Sequence, residues 1–293
     1  MSNPFKLMAV ALCAVLATGQ VGYCGGKDRN KNRDRGDSSS STSTDQGSSG
    51  SSTSDNPQPS PVQSSSRPLG LPIYDYVMLS GSDSRSVEFN DHWVQYIYQE
   101  AAKMVASGME FQDRGSHKLD PTKLFMTYDT EYPIRVYFIA EGAGYHNSLG
   151  FSKALAGDDN AGVMKYIFPD CSMPSSNGTS MDISSLNNRS TWEPLHPGDF
   201  VELGHMQAGT QLDFFLVRDG VNGGRDIFTN HEGDNPDKTQ HVFAMVIPNS
   251  PFLLIGFEDL YGGGDLDYED VLFVVDIGLQ NAQTFDKLQS LPH

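Results

Sequence analysis

Basic side chains are scarce in this 293-residue chain: 20 Lys and Arg stand against 37 Asp and Glu, for a formal net charge of −17. That shortage argues against a phosphate-backbone binder, which needs a basic footprint. It argues equally against docking on anionic lipid through a polybasic patch. Cysteine is scarcer still, with three residues, too few for a disulfide scaffold. Long hydrophobic runs are missing as well. The run at residues 7–17 has eleven apolar residues, well short of the ~20 that a spanning helix needs. No G-x-S-x-G or H-E-x-x-H signature marks a familiar enzyme. What the chain does have is Gly (29) and Pro (16), which favours a turn-rich β fold over a helical bundle. Its 38% of apolar residues suffices for a core.

The N-terminus is organised for export. Lys6 precedes the apolar run, and the small residues Ala17 and Gly19 follow at the spacing of a cleavage site. Residues 1–19 therefore read as a signal peptide, and the expected localisation is secreted or cell-surface. Cys24 opens a second reading. An apolar run ending in small residues and a Cys is similar to a bacterial lipoprotein signal, which would tether the N-terminus by lipid. Tyr23, directly before it, is the wrong size for that motif. Without lipidation, Cys24 and Cys171 either pair in an oxidising compartment or remain two free thiols.

Residues 20–68 read as a linker. Residues 27–36 carry five Lys or Arg, and a solvated charge run is the expectation there. Of the 32 positions from 37 to 68, 23 are Ser, Thr, Gly or Pro. Such a segment buries too little apolar surface to offset its ordering entropy, and it reads as a spacer ahead of a folded domain. The spacer is not where the acidity lies. The first 68 residues hold 7 of the basic and 5 of the acidic side chains, leaving 13 against 32, a net −19, for residues 69–293.

That block is expected to be a single, mainly β domain. Short β-rich segments at 134–140, 164–168, 200–203, 212–217, 242–247, 252–257 and 271–277 are separated by Gly, Pro, Asn and Asp clusters. Seven or more such strands suggest an antiparallel sandwich or jelly roll. In the first of them Ile134, Val136 and Phe138 share one face, with Arg135 and Tyr137 on the other. One helix is expected over about 91–107, capped at Asn90 or Asp91, with Trp93, Ile97, Ala101, Met104 and Val105 on its apolar face.

The most informative stretch is FLLIGFEDLYGGGDLDYEDVLFVVDIG, residues 252–278. Two apolar strands flank Glu258, Asp259, three glycines, Asp265, Asp267, Glu269 and Asp270. A Gly turn brings Glu258 and Asp259 back towards Asp265 and Asp267. Carboxylates packed between hydrophobic strands repel one another, and a divalent cation removes that cost. Calcium takes six to eight oxygen ligands, and a D-x-D run on a Gly-rich loop supplies them. The expected ligands are Glu258, Asp259, Asp265, Asp267 and Asp270, completed by Glu141 and Asn147 from the loop after 134–140. His241 is expected to make a structural hydrogen bond, since it has no His or Cys partner at ligand spacing.

This stretch resembles the signature of the bacterial "domain of unknown function 4114" family: G-F-E-D-L, a Gly-rich turn, then D-x-D before an apolar strand. AEGAGYHNSLGF (140–151), HPGDFVELGHMQAGTQLDFFLV (196–217) and DNPDKTQHV (234–242) resemble further blocks of that family, over about residues 134–278. Glu269 stands where the family usually has Asn, and Lys238 near a usual turn Gly. The resemblance implies an all-β fold in an exported protein of surface or adhesin-like context. It supplies no reaction.

Two functions follow as expectations. One is a non-catalytic, calcium-binding surface domain whose partner is a polysaccharide or protein ligand at the cell surface or beyond it. The other is a secreted glycosidase-like hydrolase using Glu258 or Glu141 as acid and an Asp as base or nucleophile.

Overall fold

The structure is a computed structural model, and it describes residue 63 and residues 67–99, 118–154, 162–172 and 195–289, with side chains as far as 285. The expected signal peptide, the basic run, Cys24 and the part of the expected helix beyond residue 99 lie outside the described residues.

Ten strands form two antiparallel sheets. The larger has the order β1 (Lys118–Leu119), β8 (Val242–Val246), β9 (Phe252–Phe257), β10 (Val271–Asp276), β2 (Ile134–Ala140) and β5 (Phe200–Gly204). The smaller runs β4 (Lys165–Phe168), β3 (Ser148–Ala154), β6 (Gln211–Val217) and β7 (Ile227–Thr229). The mainly β, two-sheet architecture is the one the strand pattern implies.

The alternation in β2 explains the layering. Ile134, Val136 and Phe138 enter the main core between the sheets, with Phe151 and Phe214 from the smaller sheet. Phe214 meets Phe273 across that core with ring centroids 5.0 Å apart. Tyr137 and Ile139 point the other way, into a second apolar cluster on the outer face of the larger sheet. Helix α1 (Ser84–Phe89) covers that face, and Phe89 stacks on Tyr137 at 3.8 Å. A strand covered on both faces reads as a continuous apolar run, as IRVYFIA does.

The helix starts seven residues before the expected Asp91. Asp83 is its N-cap and forms a reciprocal capping box with Ser86. The apolar period sets in only at Phe89, so the polar first turn carries no periodic signal. A π-helical turn, Asn90–Val94, follows. The extra residue in that turn shifts the phase. Phe89, Val94 and Ile97 are buried, while Trp93 is half-buried against Phe252.

Four further elements were hidden in the sequence, the two-residue β1 among them. β3 contains Gly150, where a Cβ would collide with the Phe215 ring, so the strand lacks apolar alternation. β7 is three residues long. Helix α2 (Leu279–Gln289) is weakly amphipathic, yet it inserts Ala282 and Phe285 into the main core. Upstream, Gln63 is fully buried and exchanges two hydrogen bonds with the Asp170 backbone. Contacts with the folded body thus begin within the expected linker. Cys171 is fully buried, with Sγ 3.7 Å from the Phe168 carbonyl oxygen.

Candidate metal centre

Strand register gathers the polar loops at one end of the sandwich. Phe257 pairs with Val271 and with Val242, Leu272 with Ala140, and Ser148 with Val217. The segments 141–147, 218–226, 234–241 and 258–270 therefore leave the sheets on the same side.

The hairpin loop between β9 and β10 is wound tightly. Gly262, Gly263, Gly264, Leu266 and Tyr268 all have positive φ, between 54° and 81°. Glycine bears this without cost, whereas Leu266 and Tyr268 each bear a left-handed backbone that costs roughly 1–2 kcal/mol. The result is convergence. Carboxylate oxygens of Glu258, Asp265 and Asp267 lie within 4.8 Å of one another. Glu258 is 1% exposed, Asp267 is half-buried and Asp265 faces solvent, so the trio grades from core to water. Glu258 Oε1 also accepts the Tyr268 N–H at 2.8 Å, and Asp267 Oδ1 accepts the Glu269 N–H at 3.2 Å.

The remaining expected residues form an adjoining group. Asp270 Oδ2 accepts the Asp259 N–H at 2.7 Å, and Asp259 Oδ2 accepts from Asn147 Nδ2 at 2.7 Å. Asn147 Oδ1 accepts the Asp219 N–H at 3.0 Å. Asn147 thereby ties three loops together. Glu141 lies outside the trio and precedes Gly142, whose N–H donates to the Glu269 carbonyl at 3.0 Å. The 218–226 segment is a β6–β7 hairpin turn closed by an Arg218–Asp226 ion pair.

Electrostatics separate this loop from the rest of the acidic surface. Burial, reinforced by the charges of Asp270, Asp267 and Asp265, pushes Glu258 up to about 8. Burial and the Asp259 charge push Asp270 to about 7, and burial with Asp267 and Asp265 does the same for Glu269. Asp259 and Asp267 are raised as well, chiefly by burial. Two ionised carboxylates at this separation repel by roughly 3 kcal/mol at a near-surface dielectric. Three such pairs approach the whole stability of a domain, about 5–15 kcal/mol. The trio therefore favours protons or a cation. Its all-oxygen donors suit a hard ion such as calcium, and it contains none of the nitrogen or sulfur donors that zinc prefers.

Sequence reasoning gave His241 a hydrogen bond but missed its full environment. The ring is fully buried, stacked on Phe228 at 3.8 Å, and bonded to both Asp237 and Glu258. The i,i+4 spacing of Asp237 and His241 was the available signal. Lys238, near the position of a family turn Gly, has φ 58°.

Fold and loop together define a two-sheet β domain with a carboxylate-rich hairpin. Residues 206–278 match the model of a family described as Domain of unknown function (DUF4114). The match takes in β6 to β10 and every carboxylate of the hairpin; Glu141 and Asn147 precede it. No curated protein and no solved structure matches the chain. Among the described residues no helix is long and apolar enough to cross a membrane.

Proposed function

We propose that this is an exported, calcium-binding β-sandwich domain, non-catalytic, that acts in surface adhesion by engaging a polysaccharide or protein ligand. The observation that carries the reading is the convergence of Glu258, Asp265 and Asp267 within 4.8 Å, with Glu258 buried and held towards its protonated form. Calcium would be held by these three, and when bound it would neutralise the repulsion that otherwise opposes closing the hairpin. The N-terminal signal pattern supports export.

The test is thermal unfolding of the purified protein with calcium chloride and with chelator, alongside elemental analysis. Ligand at 100-fold over its dissociation constant adds about 2.7 kcal/mol to the native state. A Tm that does not move, in a protein that retains no metal, would remove the proposal.

One observation favours the hydrolase reading: a carboxyl held up to about 8 is suited to a general acid. Against it, Glu258 is 1% exposed and already accepts a backbone hydrogen bond, so a glycosidic oxygen has little access. Hydrolysis of a polysaccharide panel that survives chelation and disappears in Glu258→Gln would favour it over adhesion.

A further inference from the structure

The 258–270 hairpin is held from behind by a second pair of residues, outside the carboxylate trio. His241 is fully buried between Phe228 and the hairpin. Its Nδ1 is 3.0 Å from the Glu258 carbonyl oxygen, and its Nε2 is 3.1 and 3.0 Å from the two carboxylate oxygens of Asp237. A carbonyl and a carboxylate are acceptors, so whichever ring nitrogen carries the proton donates to one of them, and the imidazolium donates to both. Asp237 in turn accepts the Gly262 N–H at 2.7 Å and the Thr239 N–H at 3.1 Å. The main chain adds a further tie, with the Glu258 N–H donating to the His241 carbonyl at 2.9 Å.

These bonds form one connected brace. Through His241 it holds the backbone where Glu258 leaves β9. Through Asp237 it holds Gly262, four residues on, where the left-handed winding begins. Gly264, two residues later, packs on Glu258 Oε2. Between and beyond these two points the hairpin returns Asp265 and Asp267 to within 4.8 Å of Glu258.

We infer that Asp237 and His241 are positioning residues that preorganise the Glu258–Asp265–Asp267 trio for a divalent cation. The inference rests on the calcium reading above and deepens it. It assigns the pair no contact with the ion. Residues that orient ligands from behind typically contribute 10- to 100-fold to metal affinity, because without them the cation must order the loop itself.

The test uses the folded chain, with calcium chloride as probe. Asp237→Asn keeps the shape but weakens the charged hydrogen bonds, and it alters a side chain at the rim of the core. His241→Gln removes the ring that spans Glu258 and Asp237. Calorimetric titration is expected to give calcium binding at least tenfold weaker in each. The double variant is expected to be no weaker than the worse single one, since the two act as a unit. Hydrogen exchange in chelator supplies a readout that does not need the metal. The Tyr268 amide, which donates to Glu258 Oε1, is expected to lose protection in both variants. Calcium affinity within twofold of the natural protein, or additive losses, would overturn the brace. So would a Tyr268 amide that stays protected in a folded Asp237→Asn protein. If the natural protein binds no calcium, the calcium reading fails instead, and Tyr268 exchange alone decides whether the pair positions the hairpin.

Discussion

Gly264 lies against the carboxylate of Glu258, so that a Cβ on Gly264 would sit 2.3 Å from Glu258 Oε2. The same residue has φ 54° and ψ −127°, a backbone region open in practice to glycine alone. Two independent constraints therefore fix this position. Gly264→Ala is expected to weaken calcium binding and lower the chelated Tm together, because the methyl group and the ligand oxygen claim one space. Gly262→Ala is the control. Its φ is 78°, but nothing lies within 4 Å of its Cβ position, so it should cost only the left-handed penalty of roughly 1–2 kcal/mol. Calorimetry and thermal unfolding on both variants would separate ordinary left-handed strain from what is particular to Gly264, its collision with Glu258 and its glycine-only backbone. Equal losses in the two would show that the contact with Glu258 is unimportant.

Glu258→Gln should move stability in opposite directions with and without the ion. The amide retains the volume and an oxygen to accept the Tyr268 N–H, but it removes a buried acid that repels Asp270, Asp267 and Asp265. In chelator at pH 8 the variant is expected to melt higher than the natural protein, by roughly 2–4 °C per kcal/mol gained. In millimolar calcium the order should reverse, since a ligand has been lost. A variant that melts lower under both conditions would mean that Glu258 contributes to stability without any cation.

The raised carboxyls fix the sign of a pH effect. Glu258 holds its proton to about 8, and Glu269 and Asp270 to about 7, whereas the unfolded chain loses these protons near pH 4. Between those limits the metal-free native state binds more protons than the unfolded state, so its stability falls as pH rises. Metal-free protein should therefore unfold at a lower temperature at pH 8 than at pH 5.5. Calcium competes with the same protons, so its binding should release them and tighten as pH rises. Titrations in two buffers of different ionisation enthalpy count the protons released. Binding that weakens from pH 6 to pH 8 would contradict the ligand set.

Much of this is legible in the sequence, and the parts that are not have physical reasons. Phe252–Phe257 stands where its apolar run placed it, and its partner Val271–Asp276 ends one residue short. Both are buried on two faces, and a continuous apolar run this short, bounded by turn residues and rich in β-branched and aromatic side chains, reads as a strand by its length and flanks. Ser148–Ala154 was silent because Gly150 must leave room for Phe215. The helix start was displaced because a Ser closes the capping box where Glu or Gln is usual. At the hairpin, composition revealed which carboxylates belong to one loop but not how they divide. Asp259 bonds to Asn147 and Asp270 accepts the Asp259 N–H, while Glu258 turns towards Asp265 and Asp267. That division depends on left-handed residues such as Leu266 and Tyr268, which side-chain type does not announce.

The opposite end of the same strands offers an independent prediction. Arg135 is 7% exposed and pairs through two nitrogens with Asp83, the N-cap of α1, at 3.0 and 2.6 Å. It also reaches Glu202 at 2.9 Å and lies over the Phe200 ring at 4.3 Å. One guanidinium thus fastens the helix to the sheet. Burial raises the Asp83 carboxyl, but hydrogen bonds from Arg135 and Ser86 outweigh it and hold the group below the usual range. A depressed carboxyl contributes stability above its unfolded pKa and loses it as pH falls through the folded value. The clasp should therefore be intact at neutral pH and weaken only below about pH 4. Arg135→Ala leaves Asp83 partly buried without its partner, and breaking such a pair costs roughly 3–5 kcal/mol. Five residues of β2 separate Arg135 from the carboxylate end, roughly 17 Å along the strand. The variant is accordingly expected to melt well below the natural protein yet show the same calcium-induced rise in Tm. A lost or halved rise would mean that the helix and the hairpin are coupled through the sheet rather than stabilised separately.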